Sequence, residues 1–441
     1  MQRPNVLLLF TDMQRHDTVG ALGNGTIRTP ALDRLCREGT AFTQAYTPSP
    51  VCVSARCGLH YGLWPIKKGC VTNTPFPSCD GTTVQARLTK AGYRTHGIGK
   101  MHFAQDRELN GFQSRETQEE IVRDPRDDDY LQHLFAEGYD HITDPHGARG
   151  ETYYIPQLAQ MPARLHPSQW IGDRTLRFLD GEKGKSDPFF LMVSFIHPHP
   201  PFAVPAPWHK LYRAGHMGLP YLPAEREHHL TWQNHVQNRY KWRDRGFDLN
   251  LLRCIRAYYY ACISFVDFQI GRILDTLAAN GQLDNTVIVF TSDHGEYLGD
   301  YGCFGKRSMH DASCRIPMIA RHPGTFAAGA RCDTPASLID VAPTFLQAAG
   351  TGLDGLDGVA LGDLAAGRSN RQAVFSQHGR GDIGEYAICT KAWKYFWSAA
   401  DQQAFLYDKT RDPLEHERCG DRPFWNKDAD RLRGDLIAWM K

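Results

Sequence analysis

Thr286-Val287-Ile288-Val289-Phe290-Thr291-Ser292-Asp293-His294-Gly295 is an unbroken apolar, β-branched run that stops at a cluster of polar groups. Such a run reads as a strand buried on both faces, the signature of a parallel sheet covered by helices. Two other stretches repeat the pattern. Val6-Leu7-Leu8-Leu9-Phe10 ends in Thr11-Asp12, and Phe189-Phe190-Leu191-Met192-Val193-Ser194-Phe195-Ile196 ends in His197-Pro198-His199-Pro200. All three runs terminate in Asp or His. In open α/β sheets, ligands bind just outside the carboxyl ends of the strands.

Upstream of the first quoted run, Ile263, Val266, Ile270, Ile273, Leu274 and Leu277 recur at helical spacing, which predicts a helix over about Ala257 to Leu277. Asn280-Gly281-Gln282-Leu283-Asp284-Asn285 then stops the helix and turns into the strand. Strand–helix alternation predicts an α/β fold, a mainly parallel sheet flanked by helices. Residues 104–170 and 200–250 read as irregular excursions, the second rich in Pro, His and Trp. Long excursions in a compact enzyme usually serve as functional loops. Trp208, His209, Trp232 and Trp242 either wall a pocket or pack the loop onto the body. Beyond the Gly/Asp-rich stretch 350–367, short strands are predicted at Tyr386 to Cys389, Tyr395 to Ser398 and Ala404 to Tyr407. An amphipathic helix follows near Arg431 to Met440. The reading is a catalytic domain over 1–365 and a smaller α+β subdomain over 366–441.

The chain has 441 residues, ample for a large core, and its 50 basic and 49 acidic side chains give a net charge of +1. That balance offers no reason to expect a nucleic acid or an anionic membrane as partner. No apolar run approaches the ~20 residues of a spanning helix. Val6 to Phe10 is also too short for a signal-peptide core, so the expectation is a cytoplasmic protein. In that setting its twelve cysteines are expected as free thiols.

The strand ends hold Asp12, Asp293 and His294. Carboxylates suit Ca²⁺, Mg²⁺ or Mn²⁺, and an imidazole pulls toward Mn²⁺ or softer ions. A strand-end Asp equally caps a following helix. Cys52 lies near Arg56, which favours a thiolate, although a structural thiol reads the same way from this segment. Gly99-Lys100-Met101-His102 follows a β-like stretch, placing a cation and an imidazole on one side if extended. Lys306 follows Gly305 in a glycine-rich loop where an ammonium can reach an anion.

Taken in order, the motifs are Pro4-Asn5-Val6 through Asp12, Cys52-x-x-x-Arg56, Gly99-Lys100-Met101-His102 and His197-Pro198-His199-Pro200-Pro201-Phe202. Ser292-Asp293-His294-Gly295, Lys306 with Arg315-Ile316-Pro317, and Asp340-Val341-Ala342-Pro343-Thr344 follow, with Leu406-Tyr407-Asp408 and Asp412-Pro413 near the end. This ordered set resembles the type I sulfatases of the alkaline phosphatase superfamily, which include phosphonate monoester hydrolases. The resemblance implies an alkaline-phosphatase-like fold. It also implies hydrolysis of small-molecule or carbohydrate sulfate esters through a covalent intermediate on a formylglycine made from Cys52 by a maturation enzyme. It places one divalent cation, Ca²⁺ first with Mn²⁺ or Mg²⁺ as alternatives, on Asp12, Asp293, His294 and residue 52. It assigns Arg56 to the nucleophile, Lys100, His199 and Lys306 to the substrate anion, His102 to the base, and His199 or Lys306 to the leaving oxygen. His197 is read as structural. In some relatives, insertions like these excursions serve a homo-oligomer.

Three positions depart from the family pattern. Ser54 stands where the modification signal carries Pro or Ala, and Met13 stands where many members carry a further ligand. The metal pair reads Asp-His, which in the family occurs among phosphonate monoester hydrolases and some carbohydrate sulfatases. The alternatives are therefore a phosphonate monoester or phosphodiester hydrolase on the same site, or a catalytically silent relative with an unmodified Cys52.

Overall fold

The computed structural model describes residues 3–242, 246, 248–419 and 426–441. The central sheet holds eight strands: β1 (Asn5–Thr11), β2 (Thr40–Phe42), β3 (Arg94–Gly99), β4 (Ser114–Thr117), β5 (Phe189–Ser194), β6 (Thr286–Ser292), β7 (Met318–Arg321) and β8 (Ala330–Cys332). Their spatial order is β8-β2-β7-β6-β1-β5-β3-β4. β1 pairs in parallel with both β5 and β6, while β7 runs against both its neighbours. The three apolar runs of the sequence are thus adjacent central strands.

Side chains alternate across a strand, and β1 shows why an unbroken apolar run belongs here. Val6, Leu8 and Phe10 join the core on one face, and Leu7 and Leu9 join the core on the other. The first face is covered by α1 (Cys52–Tyr61), α2 (Val84–Lys90) and α5 (Val341–Ala348), through Ala55, Leu59, Val84, Leu88, Phe345 and Leu346. The second is covered by α3 (Pro167–Gly181) and α4 (Leu249–Ala279), through Ile171, Val266, Ile270 and Ile273. Truncating a fully buried leucine such as Leu7 or Leu9 to alanine costs about 2–5 kcal/mol.

The helix predicted over Ala257 to Leu277 exists and is longer, 31 residues. Asp248 caps its start by accepting from Leu251 N. The extra N-terminal turns are largely amphipathic surface, where the core periodicity fades. The excursions are less irregular than the sequence implied: 104–170 contains a helix, Asp129–Ala136, and 200–250 contains another, Trp232–Lys241. The latter is opened by a capping box between Thr231 and Asn234. Few apolar residues mark its buried side, so periodicity gave no signal.

The C-terminal part forms a four-stranded antiparallel sheet: β9 (Ala373–His378), β10 (Glu385–Thr390), β11 (Trp393–Ser398) and β12 (Gln403–Asp408). A helix, Asn426–Met440, packs on it through Leu432 and Leu436. β9 is the strand the sequence reading lacked. A buried ion cluster ties this sheet to the main body: Lys394 and Lys409 both pair with Asp311, and Lys394 lies 2.8 Å from Glu415. All twelve cysteines are free thiols. Among the described residues, no helix is long and apolar enough to cross a membrane.

Candidate active site

The carboxyl ends of β1 and β6 lie side by side, so Asp12 and Asp293 emerge at one point. Gly295 lets the chain turn there: a Cβ at this position would meet Ala312 O at 2.1 Å. α1 points its first residue, Cys52, at the same spot, and the positive end of a helix favours an anion there. Asp12, Cys52, Asp293 and His294 are fully buried, and one donor atom from each lies within 4.8 Å of the others. Cys52 Sγ is 3.3 Å from His294 Nε2 and 3.8 Å from Asp12 Oδ1.

This donor set fits a divalent cation on its own chemistry. His294 Nδ1 lies 3.0 Å from the Gly295 carbonyl, which accepts only, so Nδ1 carries the hydrogen. Nε2 then faces Asp293 Oδ1 at 3.5 Å and Asp12 Oδ1 at 3.8 Å. A lone pair aimed at two carboxylates demands positive charge between them. Burial disfavours an imidazolium and Lys306 repels it, but Asp293 and Cys52 together raise the pKa. Met13 adds no hard donor. Its side chain is buried, its backbone N–H donates to Asp293 Oδ1 at 3.0 Å, and it stands at φ 67°. The Gln14 side chain donates through its amide nitrogen to Thr18 Oγ1 at 3.2 Å.

Three cations surround the cluster. Arg56 lies one helical turn after Cys52, on the same face of α1. Its guanidinium donates to Asp293 Oδ2 at 3.2 Å and Asp12 Oδ2 at 3.1 Å. It therefore orients the two carboxylates rather than touching the thiol. Lys306 Nζ is 2.8 Å from Cys52 Sγ. Lys100 Nζ donates to Asp12 Oδ2 and to Glu120 Oε2, each at 2.6 Å. Burial and Asp12 would raise the Cys52 pKa, but Lys306, Lys100 and His294 together hold it well below the usual thiol range. Burial would likewise raise Asp12, yet Lys100 first, then His199, Lys306 and Arg56, keep it well below the usual carboxylate range. Asp293 goes the other way: burial and then Asp12 push it up to about 6.

A cavity of about 510 Å³ opens onto this cluster. Cys52, His102, His199 and Lys306 line it. Lys100 is not among the lining residues; it sits fully buried behind Asp12 and Glu120. His199 Nδ1 faces the Pro200 carbonyl at 2.7 Å, leaving Nε2 for the site. His102 stands at φ 63°, its backbone N–H donating to Glu119, and its buried Nδ1 has no partner among the described residues. His197 Nδ1 meets Ser168 Oγ and the residue does not line the cavity, in keeping with a structural role.

Sequence reasoning missed Glu119, Glu120, Arg149, Tyr153, Tyr240 and Lys241, which complete the cavity wall from the two excursions. Glu120 binds Lys100 and also accepts from Arg149 at 3.0 Å. Asn73 holds the start of α1 by accepting from Val53 N. The adjacent acids Glu119-Glu120 were the one available signal. The tryptophans pack the loop: Trp208 lies on Phe265 and Phe268, Trp242 stacks on Phe304, and neither they nor Trp232 nor His209 line the cavity.

Comparison with known proteins agrees with this geometry. The Sulfatase family pattern matches residues 4–351, and a pattern described as N-sulphoglucosamine sulphohydrolase, C-terminal, matches residues 299–440. The chain is 30% identical to an arylsulfatase of Clostridium perfringens, over 100% of this chain and 95% of that protein. It is 28% identical to a choline-sulfatase of Rhizobium meliloti, over 96% of this chain and 83% of that protein. Among solved structures, a phosphonate monoester hydrolase of Agrobacterium radiobacter superposes with a TM-score of 0.82 at 25% identity, covering 99% of this chain and 95% of the other. The fold expected from the ordered motifs is the fold observed, and the chain belongs to the sulfatase family of sulfuric ester hydrolases.

Proposed function

We propose that this enzyme hydrolyses sulfate monoesters of small molecules or carbohydrates. In this reading Asp12, Cys52, Asp293 and His294 hold a divalent cation, and a maturation enzyme converts Cys52 to formylglycine. The supporting observation is the convergence of these four donors beside Lys306 and His199 at the floor of one cavity. The two carboxylates suit Ca²⁺, with Mg²⁺ or Mn²⁺ as alternatives, and the imidazole pulls toward Mn²⁺. The bound cation supplies Lewis-acid charge beside residue 52. The hydrated aldehyde supplies a hydroxyl nucleophile and a second hydroxyl whose ionisation frees the product anion.

The chain's own residues do the remainder. Lys306 neutralises charge that grows on the sulfuryl oxygens. Lys100 contributes positive charge from behind Asp12 and fixes both Asp12 and Glu120. Arg56 holds the two metal-binding carboxylates in register. His199 Nε2 passes a proton to the leaving oxygen; burial lowers its pKa, and Glu120 Oε1, 3.6 Å from Nδ1, opposes that shift. His102, with its unpartnered Nδ1, takes the proton from the second hydroxyl.

A second reading, hydrolysis of phosphonate monoesters, draws on the structural likeness to a phosphonate monoester hydrolase. Both substrates develop the same trigonal-bipyramidal oxyanion. Two measurements test the proposal. Peptide mass over residues 37–67 from protein made in its native host should show formylglycine at position 52. Rates on 4-nitrophenyl sulfate should exceed those on 4-nitrophenyl phenylphosphonate. An unmodified Cys52 with no turnover on either ester refutes the reading.

A further inference from the structure

The cavity wall above Lys306 carries more positive charge than one sulfate needs. Lys241 ends the helix Trp232–Lys241, and Arg307 directly follows Lys306. Lys241 Nζ sits 3.8 Å from the centre of the Tyr153 ring and 5.4 Å from that of Tyr240. The Arg307 guanidinium lies 6.0 Å from the Tyr240 ring centre. Among the described residues, no carboxylate forms an ion pair with either cation. The acids of the same cavity are engaged elsewhere: Glu120 with Lys100 and Arg149, Glu119 with Arg115 and two backbone N–H groups, Asp106 with Arg123 N. Arg307 stands at φ 80°, a conformation that is costly for a non-glycine residue, and its N–H donates to Pro50 O. The backbone is thus held where this side chain faces the cavity.

We propose that Lys241 and Arg307 form a second anion subsite, so that the preferred substrate is a sulfate ester whose alcohol portion carries another anionic group, a carboxylate or a second sulfate. This rests on the sulfatase reading for the identity of the group that is cleaved. Two part-buried cations with no ion-paired carboxylate among the described residues gain most when an anion arrives, which concentrates binding energy on that contact. Burial, with repulsion from Lys306 next, lowers the Lys241 pKa to about 7 against the attraction of Glu296 and Glu120, and a bound anion would raise it. The tyrosine faces that would otherwise attract a cationic alcohol are already covered by these two side chains.

The test uses the mature holoenzyme, its K241M/R307Q double variant and K241R. The kcat/KM ratio of 2-carboxy-4-nitrophenyl sulfate to 4-nitrophenyl sulfate is measured for each. In the double variant the ratio should fall about tenfold or more, and K241R should retain it. A ratio within about twofold of wild type in the double variant overturns the proposal. Calorimetric binding of the non-hydrolysable pair 4-sulfobenzoate and benzenesulfonate reads the subsite without turnover. Tighter binding of the dianion that is lost in the double variant supports the subsite, and equal affinities in wild type overturn it. Retained dianion preference in an enzyme with no esterase turnover would instead refute the sulfatase reading alone. Matching melting temperatures of the variants confirm that they fold.

Discussion

The ammonium of Lys306 lies 2.8 Å from the sulfur of Cys52, residues 254 positions apart in the chain. A cation placed there before any substrate arrives costs nothing in reorganisation when charge develops. Replacing Lys306 with alanine should therefore lower kcat by about 10²–10³-fold. Steady-state kinetics of K306A on 4-nitrophenyl sulfate check this, and a loss confined to KM would contradict it.

The four-donor cluster predicts dependence on a divalent cation. Dialysis against a chelator should abolish turnover and lower the melting temperature, and adding back Ca²⁺ or Mn²⁺ should restore both. A ligand at 100 times its Kd adds about 2.7 kcal/mol to stability. H294A should bind less metal by elemental analysis, a readout independent of activity. Full activity after complete metal removal would disprove the assignment.

Glu120 neutralises Lys100 and Arg149 and lies near His199. Its own pKa is held low because His199, Lys100 and Arg149 outweigh burial. Glutamine at this position should loosen all three groups. We expect E120Q to lose about 10–100-fold in kcat/KM while folding normally, because it disturbs a supporting shell of hydrogen bonds. It should also move the alkaline limb of the pH–rate profile to lower pH, since His199, the proton donor, loses the carboxylate that favours its proton. A profile superimposable on wild type would count against this role.

Glu385 is a separate, structural test. Burial pushes its pKa up to about 8, against the hydroxyls of Thr231 and Ser308. The folded state therefore holds a proton that the unfolded chain releases near pH 4.5. Its stabilising effect is complete below that pH and is lost as pH rises toward 8. A shift of this size corresponds to roughly 5 kcal/mol. E385Q mimics the protonated form, so its melting temperature should fall less between pH 5 and pH 9. At pH 9 it should exceed that of wild type.

The strand-end residues were legible because each signal is local. An unbroken apolar run can only be buried on both faces, and the polar residue that ends it must emerge at the sheet's edge. Asp12, Asp293 and His294 follow from that rule alone. Cys52, Arg56, Lys100, His102, His199 and Lys306 were marked by motif order, without their contacts. The expectation that Arg56 serves the thiol and Lys100 the substrate anion assumed direct reach. In the fold both side chains close on Asp12 first, because a buried carboxylate without a cation would be too costly.

By itself the sequence determined a doubly covered parallel sheet and the strand termini at which polar residues gather. Only tertiary structure decided who faces whom: Glu120 on Lys100, Tyr153 under Lys241, Arg307 turned into the cavity. Burial imposes a periodicity that can be read along the chain. The walls of a polar cavity obey no period, and their partners are chosen by charge and distance across segments that meet only after the core has formed.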